Sequence, residues 1–529
     1  MASTTLNPAA AETPAAFDPY ANRYIIAITV TLAAIMELID TSIVNVAIPH
    51  MMGTLGATLD QIAWVSTGYI VANVIVLPIT GWLSAFFGRR RYFAGSIALF
   101  TIASFFCGNS HSLGELVAWR IVQGLGGGAL LSTAQAVLYE VFPPVEYGTA
   151  MTIFGVGVMV GPTLGPTLGG YITDVFSWPW IFYINIPFGL LALLLTLSYL
   201  RDSHYASKIR SVDWIGLALL ALGVGTLQTM LERGERLDWF SSREIVLYAL
   251  VSVTALGLFV WHELTTDQPV VDLRILKSTQ LAAGVAFGGM LGVCLYATVF
   301  VLPVYLQQLQ GFTANQTGLV ILPGALASAV TMGVMARQVG KFDARISIVT
   351  GVAIFLVAMV QMSHFTTLSG RDDFIWPMVL RGIGLGLIFV PLTNLALADL
   401  PMEKIPNGTG LFNLLRQLGG SVGIALSATL LSHFEAANHA KLAEHITRFD
   451  PITRDRLASM TNFFVARGAL PAVAEQHAIA LLDAQVTRQA LMLSFERLFL
   501  LFGFGFVVAM PLLLLMRKGR GFRGGAASH

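Results

Sequence analysis

Two carboxylates, Glu37 and Asp40, stand three residues apart in the apolar stretch "MELIDTSIVNVAIP". On a helix, positions 37, 40, 41, 44 and 45 share one face. Glu37, Asp40, Thr41 and Asn45 therefore make a polar stripe on an otherwise apolar element. An acid at the centre of a membrane span costs roughly 2.5–3.5 kcal/mol on insertion scales, so such residues face a cavity or a partner. Desolvation and a neighbouring like charge are what bring a carboxyl to exchange protons near neutral pH, as a proton-driven carrier requires. The competing reading is a fixed ion pair that holds helices together, and the residues alone leave both open.

Basic residues occur in comparable settings. Arg120 opens "RIVQGLGGGAL", with Gln123 one turn on, and Arg381 opens "RGIGLGLIFV". Counted along their helices at 1.5 Å per residue, Asp40 lies ~12 Å and Arg120 ~9 Å from the same membrane face, so the two can meet. Arg381 sits at the equivalent level of a later helix, with no acid beside it in sequence. Snorkelling to the surface is the alternative for either arginine. Asn394, and Asn413, Arg416 and Gln417 at i, i+3, i+4 spacing, are further polar residues that would line a cavity.

The elements that must position these groups are membrane helices. The chain has 529 residues, 55% of them hydrophobic and 12% charged, with a mean hydropathy of +0.71. A soluble chain carries about 25% charged residues. Fourteen apolar spans are expected near 24–48, 61–83, 92–109, 114–138, 149–171, 181–200, 213–231, 242–263, 281–307, 316–337, 345–364, 375–398, 410–432 and 494–516. With the N-terminus inside, inner loops and tails hold 17 Lys/Arg, including Arg89 to Arg91, Lys208, Arg210, Lys341 and Lys518. The short outer loops then hold four: Arg233, Arg236, Arg243 and Arg371. That bias places both termini in the cytoplasm. The first twenty residues lack a basic n-region and a cleavage site, and read as a disordered tail. Residues 433–493 form a long outer connection with helix-like stretches rich in Ala, His, Arg and Glu, either a solvated cap or a docking surface.

A repeat runs through the chain. "GWLSAFFGRRR" (81–91) and "GVMARQVGKFDAR" (333–345) each carry Gly, six residues, Gly and a cation. The two Arg-Gly stretches at 120 and 381 repeat as well. Spans 1–6 and 9–14 thus read as related halves, with spans 7 and 8 inserted, an arrangement typical of transporters. In the fifth span, "GVGVMVGPTLGPTLGG" (155–170) places Gly157, Gly161, Gly165 and Gly169 on one ridge, with Pro162 and Pro166 beside it. Such a ridge admits close helix approach, and the prolines favour a helix that bends or seals a pathway. Cys107 and Cys294 fall in spans and read as small buried hydrophobes. No phosphate-loop or HExxH motif supports a membrane enzyme, and nothing points to a metal, a cofactor or nucleic acid.

These motifs together resemble those of major facilitator transporters of the fourteen-span drug:proton antiporter family (EmrB/QacA type), over about residues 20–516. "DTSIVNVAIP" resembles the family's first-helix motif, "GWLSAFFGRRR" its loop motif, "RIVQG" its fourth-helix motif and "GPTLGPTLGG" its antiporter motif. "WPWIFYINIP", "ERGERLDWFSSREI" and "PVVDLRILKS" are similar to the EmrB-type pumps of Gram-negative bacteria. The resemblance implies an all-α major facilitator fold of two six-helix bundles plus two inserted helices. The organisation would be a cytoplasmic tail over 1–22, a bundle over 23–200, a linker with the inserted helices over 201–278, a bundle over 279–516 and a tail over 517–529. It further implies proton-driven export of hydrophobic drugs across the bacterial inner membrane by alternating access, with Asp40 and Arg120 as coupling residues and Gly81, Gly88 and Arg89 as the cytoplasmic loop motif. A periplasmic EmrA-like adaptor and a TolC-like outer-membrane channel are the implied partners. Where the loop motif often has an acid this chain has Ala85, which puts that motif's charge-pair gate in doubt. A dedicated exporter of one metabolite, such as a siderophore or fatty acid, is the alternative.

Overall fold

The structure, a computed structural model, describes residues 22–202, 212–338, 343–447 and 449–516, and these contain helices, turns and no strand. The tails, the basic linker residues Lys208 and Arg210, and Lys341 of the second loop motif lie outside the described residues. Thirteen helices among the described residues are long and apolar enough to cross a membrane. In chain order the helices begin with α1 (Arg23–Leu55), α2 (Asp60–Phe87), α3 (Arg89–Gly108), α4 (Leu113–Val141), α5 (Tyr147–Val175) and α6 (Trp180–Tyr199). There follow α7 (Trp214–Arg233), α8 (Arg243–Thr265), α9 (Thr279–Leu309), α10 (Ala314–Ala336), α11 (Ala344–Met362) and α12 (Arg371–Leu397). The last are α13 (Ile405–Glu444), α14 (Pro451–Ala466) and α15 (Pro471–Ala509). Helix α5 is 29 residues long and occupies the expected fifth span, although not all of its side chains are described.

Local chemistry explains several boundaries. Gly88, at φ 84°, takes a backbone conformation that side chains disfavour, and it turns the chain from α2 into α3. Ser112 caps α4 by accepting from Glu115 N, while the Glu115 carboxylate accepts from His111 N. Thr313 and Gln316 form a reciprocal capping box on α10. Asp450 caps α14 through Ile452 N and Thr453 N.

The packing places α1 against α4, α5 and α6, and places α4 against α2 and α3. Among the later helices, α9 packs on α13, and α12 on α10 and α11. Helix α5 lies along α10, which joins early helices to late ones. The expected glycine ridge faces α1. A Cβ at Gly157 would come within 2.8 Å of Thr31 and Ile35, one at Gly161 within 2.8 Å of Leu38 Cβ, and one at Gly169 within 2.8 Å of Ile43. A Cβ at Gly165 would run into Ser42 Oγ. The ridge therefore seats α5 on the helix that carries Glu37 and Asp40. The side chain of Pro166 lies outside the described ones.

Residues 433–493, expected to hold helix-like stretches, are largely helical: α13 runs unbroken for 40 residues to Glu444, α14 follows, and α15 begins at Pro471. The reason is local. The segment after span 13 holds neither Gly nor Pro until Pro451, so nothing stops the helix where its hydropathy falls. Asn438, buried, donates to Ser494 Oγ at 3.0 Å and ties the two extensions together.

Candidate functional site

Around the middle of the early helices, five elements converge on Asp40, which is fully buried. Arg120 Nη1 donates to Asp40 Oδ2 at 2.5 Å. Gln123 Nε2 and Asn185 Nδ2 donate to Oδ1 at 2.9 and 2.8 Å. Arg120 also donates to Gln123 Oε1 at 2.7 Å and to Val65 O at 3.1 Å, and its guanidinium lies 4.0 Å from the Tyr69 ring centroid. Gln123 also donates to Ser104 Oγ at 2.7 Å. The matched depth counted from sequence thus corresponds to direct contact, and Arg120 does not snorkel. With three donors on one carboxylate the centre is a satisfied, charge-assisted network.

Glu37 is arranged differently. Its side chain is buried, Oε1 accepts from Asn73 Nδ2 at 3.0 Å, and Oε2 has no hydrogen-bond partner. Its charged neighbours are Arg416, of opposite sign, and Asp40, of like sign. The two acids of the stripe therefore address different helices, Asp40 turning to α4 and α6 and Glu37 to α2 and α13. Thr41 returns its hydroxyl to Glu37 O at 3.0 Å, and Asn45 is exposed, accepting weakly from Ser66 Oγ at 3.4 Å.

The late polar residues meet the early helices rather than one another alone. Asn413 Nδ2 donates to Gln135 Oε1 at 2.8 Å and to Ser132 Oγ at 3.3 Å. Tyr139 OH donates to Asn394 Oδ1 at 2.8 Å. Arg416 Nη2 donates to Asn413 Oδ1 at 3.1 Å, while its Nε and Nη1 are buried without partners. Gln417 only accepts from Tyr296 OH, at 3.4 Å. Arg381 joins neither cluster.

The hydrogen-bonded cross-links between early and late helices lie toward the end of the array where Arg23 starts α1. There Gly81 lies so close to α13 that a Cβ would overlap Asn407 Oδ1. Arg89, buried, pairs with Glu140 at the end of α4, and Asp202 accepts from Arg90 N at 3.0 Å. A charge pair thus exists at this mouth despite Ala85, built on α4 instead of within the loop motif. Arg23–Glu146 at 2.9 Å and Lys404–Asp272 at 3.0 Å complete the contacts at this end.

Sequence reasoning missed Asn185, Ser104, Asn73, Ser132 and Gln135. Asn185 alone had a signal, being the polar residue of the quoted "WPWIFYINIP". The others are single amides and hydroxyls in apolar helices, with no spacing to mark them.

A long-helix array built round a buried acid–guanidinium centre, with further buried polar side chains between the early and late helices, is the architecture of a membrane carrier. The family profile described as Major Facilitator Superfamily matches residues 30–424. The chain belongs to that superfamily and, within it, to the EmrB type. It is 34% identical to the "Multidrug export protein EmrB" of Escherichia coli (strain K12) over 95% of this chain and 96% of that protein. It is 32% identical to the "Fatty acid resistance protein FarB" of Neisseria gonorrhoeae over 95% of this chain and 97% of that one. The crystal structure of the human organic anion transporter MFSD10 shares the fold, with a TM-score of 0.56 at 14% identity, covering 92% of this chain and 99% of that one.

Proposed function

We propose that the chain is a proton-driven antiporter that exports hydrophobic drugs and toxic compounds across the bacterial inner membrane by alternating access. The observation that carries this reading is Glu37: a buried carboxylate with one oxygen held by Asn73 and the other unspent, facing Arg416. A group of this kind has capacity to take up a proton or a substrate donor, whereas Asp40 has its oxygens committed to three donors. Glu37 is accordingly the exchanging group, and Asp40 with Arg120 and Gln123 is the relay that reports its state to α4 and α6.

Two six-helix bundles, joined through the inserted α7 and α8, are the moving parts in this reading, with fourteen spans in all and both termini cytoplasmic. The Arg23 end is then the cytoplasmic mouth. The Asn413–Gln135, Tyr139–Asn394 and Gly81–Asn407 contacts close it, and Asn45 lines the way out. Thr41, Asn394, Asn413, Arg416 and Gln417 border the pathway, and the α5 ridge on α1 provides a smooth seam for bending or sealing. By similarity to EmrB-type proteins, the chain works as the inner-membrane part of a tripartite system with an EmrA-like adaptor and a TolC-like channel.

The test is efflux from proteoliposomes driven by a proton gradient, with Glu37→Gln and Asp40→Asn measured separately. The Glu37→Gln chain is expected to bind substrate yet lose gradient-driven transport. Gradient-driven transport at the wild-type rate in that variant would refute the assignment. A dedicated exporter of one metabolite is the second reading, favoured by the similarity to the fatty acid resistance protein. A substrate panel in the same vesicles separates the two.

A further inference from the structure

Where α5, α9, α10 and α12 meet, Arg381 and Ser328 line one small pocket. Arg381 is 6% exposed and Ser328 2%. The Nε and Nη1 of Arg381 and the Oγ of Ser328 are buried without hydrogen-bond partners. Arg381 starts ten residues into α12, ~15 Å along the helix at 1.5 Å per residue, and its burial shows that it does not snorkel to the surface. Two glycines set the geometry. A Cβ on Gly382 would overlap the carbonyl oxygen of Gly324, so α10 and α12 touch backbone to backbone at this level. Ser328, one turn on from Gly324, thus stands against the helix that carries Arg381. Val158, Leu295 and Leu385 contribute apolar walls.

Size restricts what can enter. The pocket has about 30 Å³ of room. A single water needs roughly 10–15 Å³, whereas small-molecule sites span roughly 300–1,000 Å³. The pocket therefore admits a monatomic ion or a water or two, and excludes anything with a hydrocarbon tail.

Charge decides between those occupants. Arg120, at the matching place in the first half, pairs with Asp40. Among the described residues Arg381 belongs to no ion pair. A guanidinium stays charged in a protein, and a buried one without a counter-charge is strongly unfavourable. Water offers a lone pair and no net charge. A small monovalent anion offers an acceptor to both unspent donors and cancels the charge as well.

We propose that this pocket is a chloride site, in which one halide ion accepts from the Arg381 guanidinium and from the Ser328 hydroxyl. The ion is a resident counter-charge, supplying in the second half what Asp40 supplies in the first. The proposal goes beyond the transport reading and does not depend on it.

The test is the unfolding midpoint of the purified full-length chain in detergent, with chloride replacing gluconate at constant ionic strength. A ligand of the native state raises the midpoint along a saturating curve. Chloride and bromide are expected to do so, and sulfate, divalent and larger, is not. Arg381→Gln should abolish the saturating rise. Ser328→Ala should move half-saturation to about tenfold higher chloride, the factor set by one hydrogen bond to a charged group. Ala325→Leu keeps both donors but fills the pocket that Ala325 lines, and should abolish the rise too. A wild-type midpoint with no saturating response to chloride overturns the proposal, since water alone then fills the pocket. An undiminished rise in Arg381→Gln, or an equal saturating rise with sulfate, also overturns it by marking an adventitious ion only. If Arg381→Gln does not fold, the wild-type anion series with Ser328→Ala and Ala325→Leu decides the matter. No gradient or substrate enters these measurements, so proton coupling through Glu37 stands or falls separately.

Discussion

Replacing Asp40 by Asn tests whether the buried centre is the network that its distances describe. Three donors converge on the carboxylate: Arg120 Nη1 at 2.5 Å, Gln123 Nε2 at 2.9 Å and Asn185 Nδ2 at 2.8 Å. An asparagine has one acceptor oxygen and one donor amide. If its oxygen serves Gln123 and Asn185, its NH2 group confronts the NH2 of Arg120, and the guanidinium is left as an uncompensated buried charge. Breaking a buried pair in this way costs about 3–5 kcal/mol. Arg120→Gln removes the other charge, and the double variant removes both. The double variant should therefore be more stable than the sum of the two singles implies, by about 2–3 kcal/mol. Reversible unfolding of the purified protein in mixed micelles, carried through all four members of the cycle, measures this coupling. A loss below about 1 kcal/mol for Asp40→Asn, or a coupling near zero, would sink the argument, because it would mean that water or a rearrangement satisfies Arg120.

The glycine ridge and the far-end helices give two further expectations. Gly165→Ala drives a methyl into Ser42 and should destabilise the protein by about 1–3 kcal/mol through overpacking. Adding Ser42→Gly should restore at least half of that loss, and a neutral Gly165→Ala would show that α5 does not rest on α1 there. Ile452 and Phe463 are exposed apolar residues of α14, bordering a cleft with Met460 and Leu481. Ile452→Ser with Phe463→Ser should cut co-purification of an EmrA-like adaptor while leaving the unfolding midpoint unchanged, and full co-purification would take the docking surface elsewhere.

The helical class, the placing of most spans and the depth of Asp40 and Arg120 were all legible in the sequence. Hydropathy and helical rise are properties of a local stretch, so counting residues suffices for them. The glycine ridge was legible as a ridge, since four small residues at spacing four can only form one stripe. What the ridge seats against was not. Helix α1 became its partner through packing of segments more than a hundred residues apart. The same limit hid Asn185, which reaches Asp40 across 145 residues of chain, and it hid Gln135 and Ser132 opposite Asn413. The helix-like stretches of 433–493 were legible, but not that α13 runs on unbroken to Glu444, because falling hydropathy ends a span without ending a helix.

The sequence by itself determined that Glu37 and Asp40 lie on the polar face of a membrane helix and that Arg120 lies level with Asp40. Only the tertiary structure decided which acid the arginine takes. Residues 37 and 40 sit about 60° apart around a helix of 3.6 residues per turn, and that small rotation turns Asp40 toward α4 and α6 and Glu37 toward α2 and α13. It also decided that Arg381, the sequence counterpart of Arg120, is buried with its Nε and Nη1 unpartnered instead of holding an acid. A side chain's partner depends on which helices pack around it, and a hydropathy pattern does not encode that arrangement.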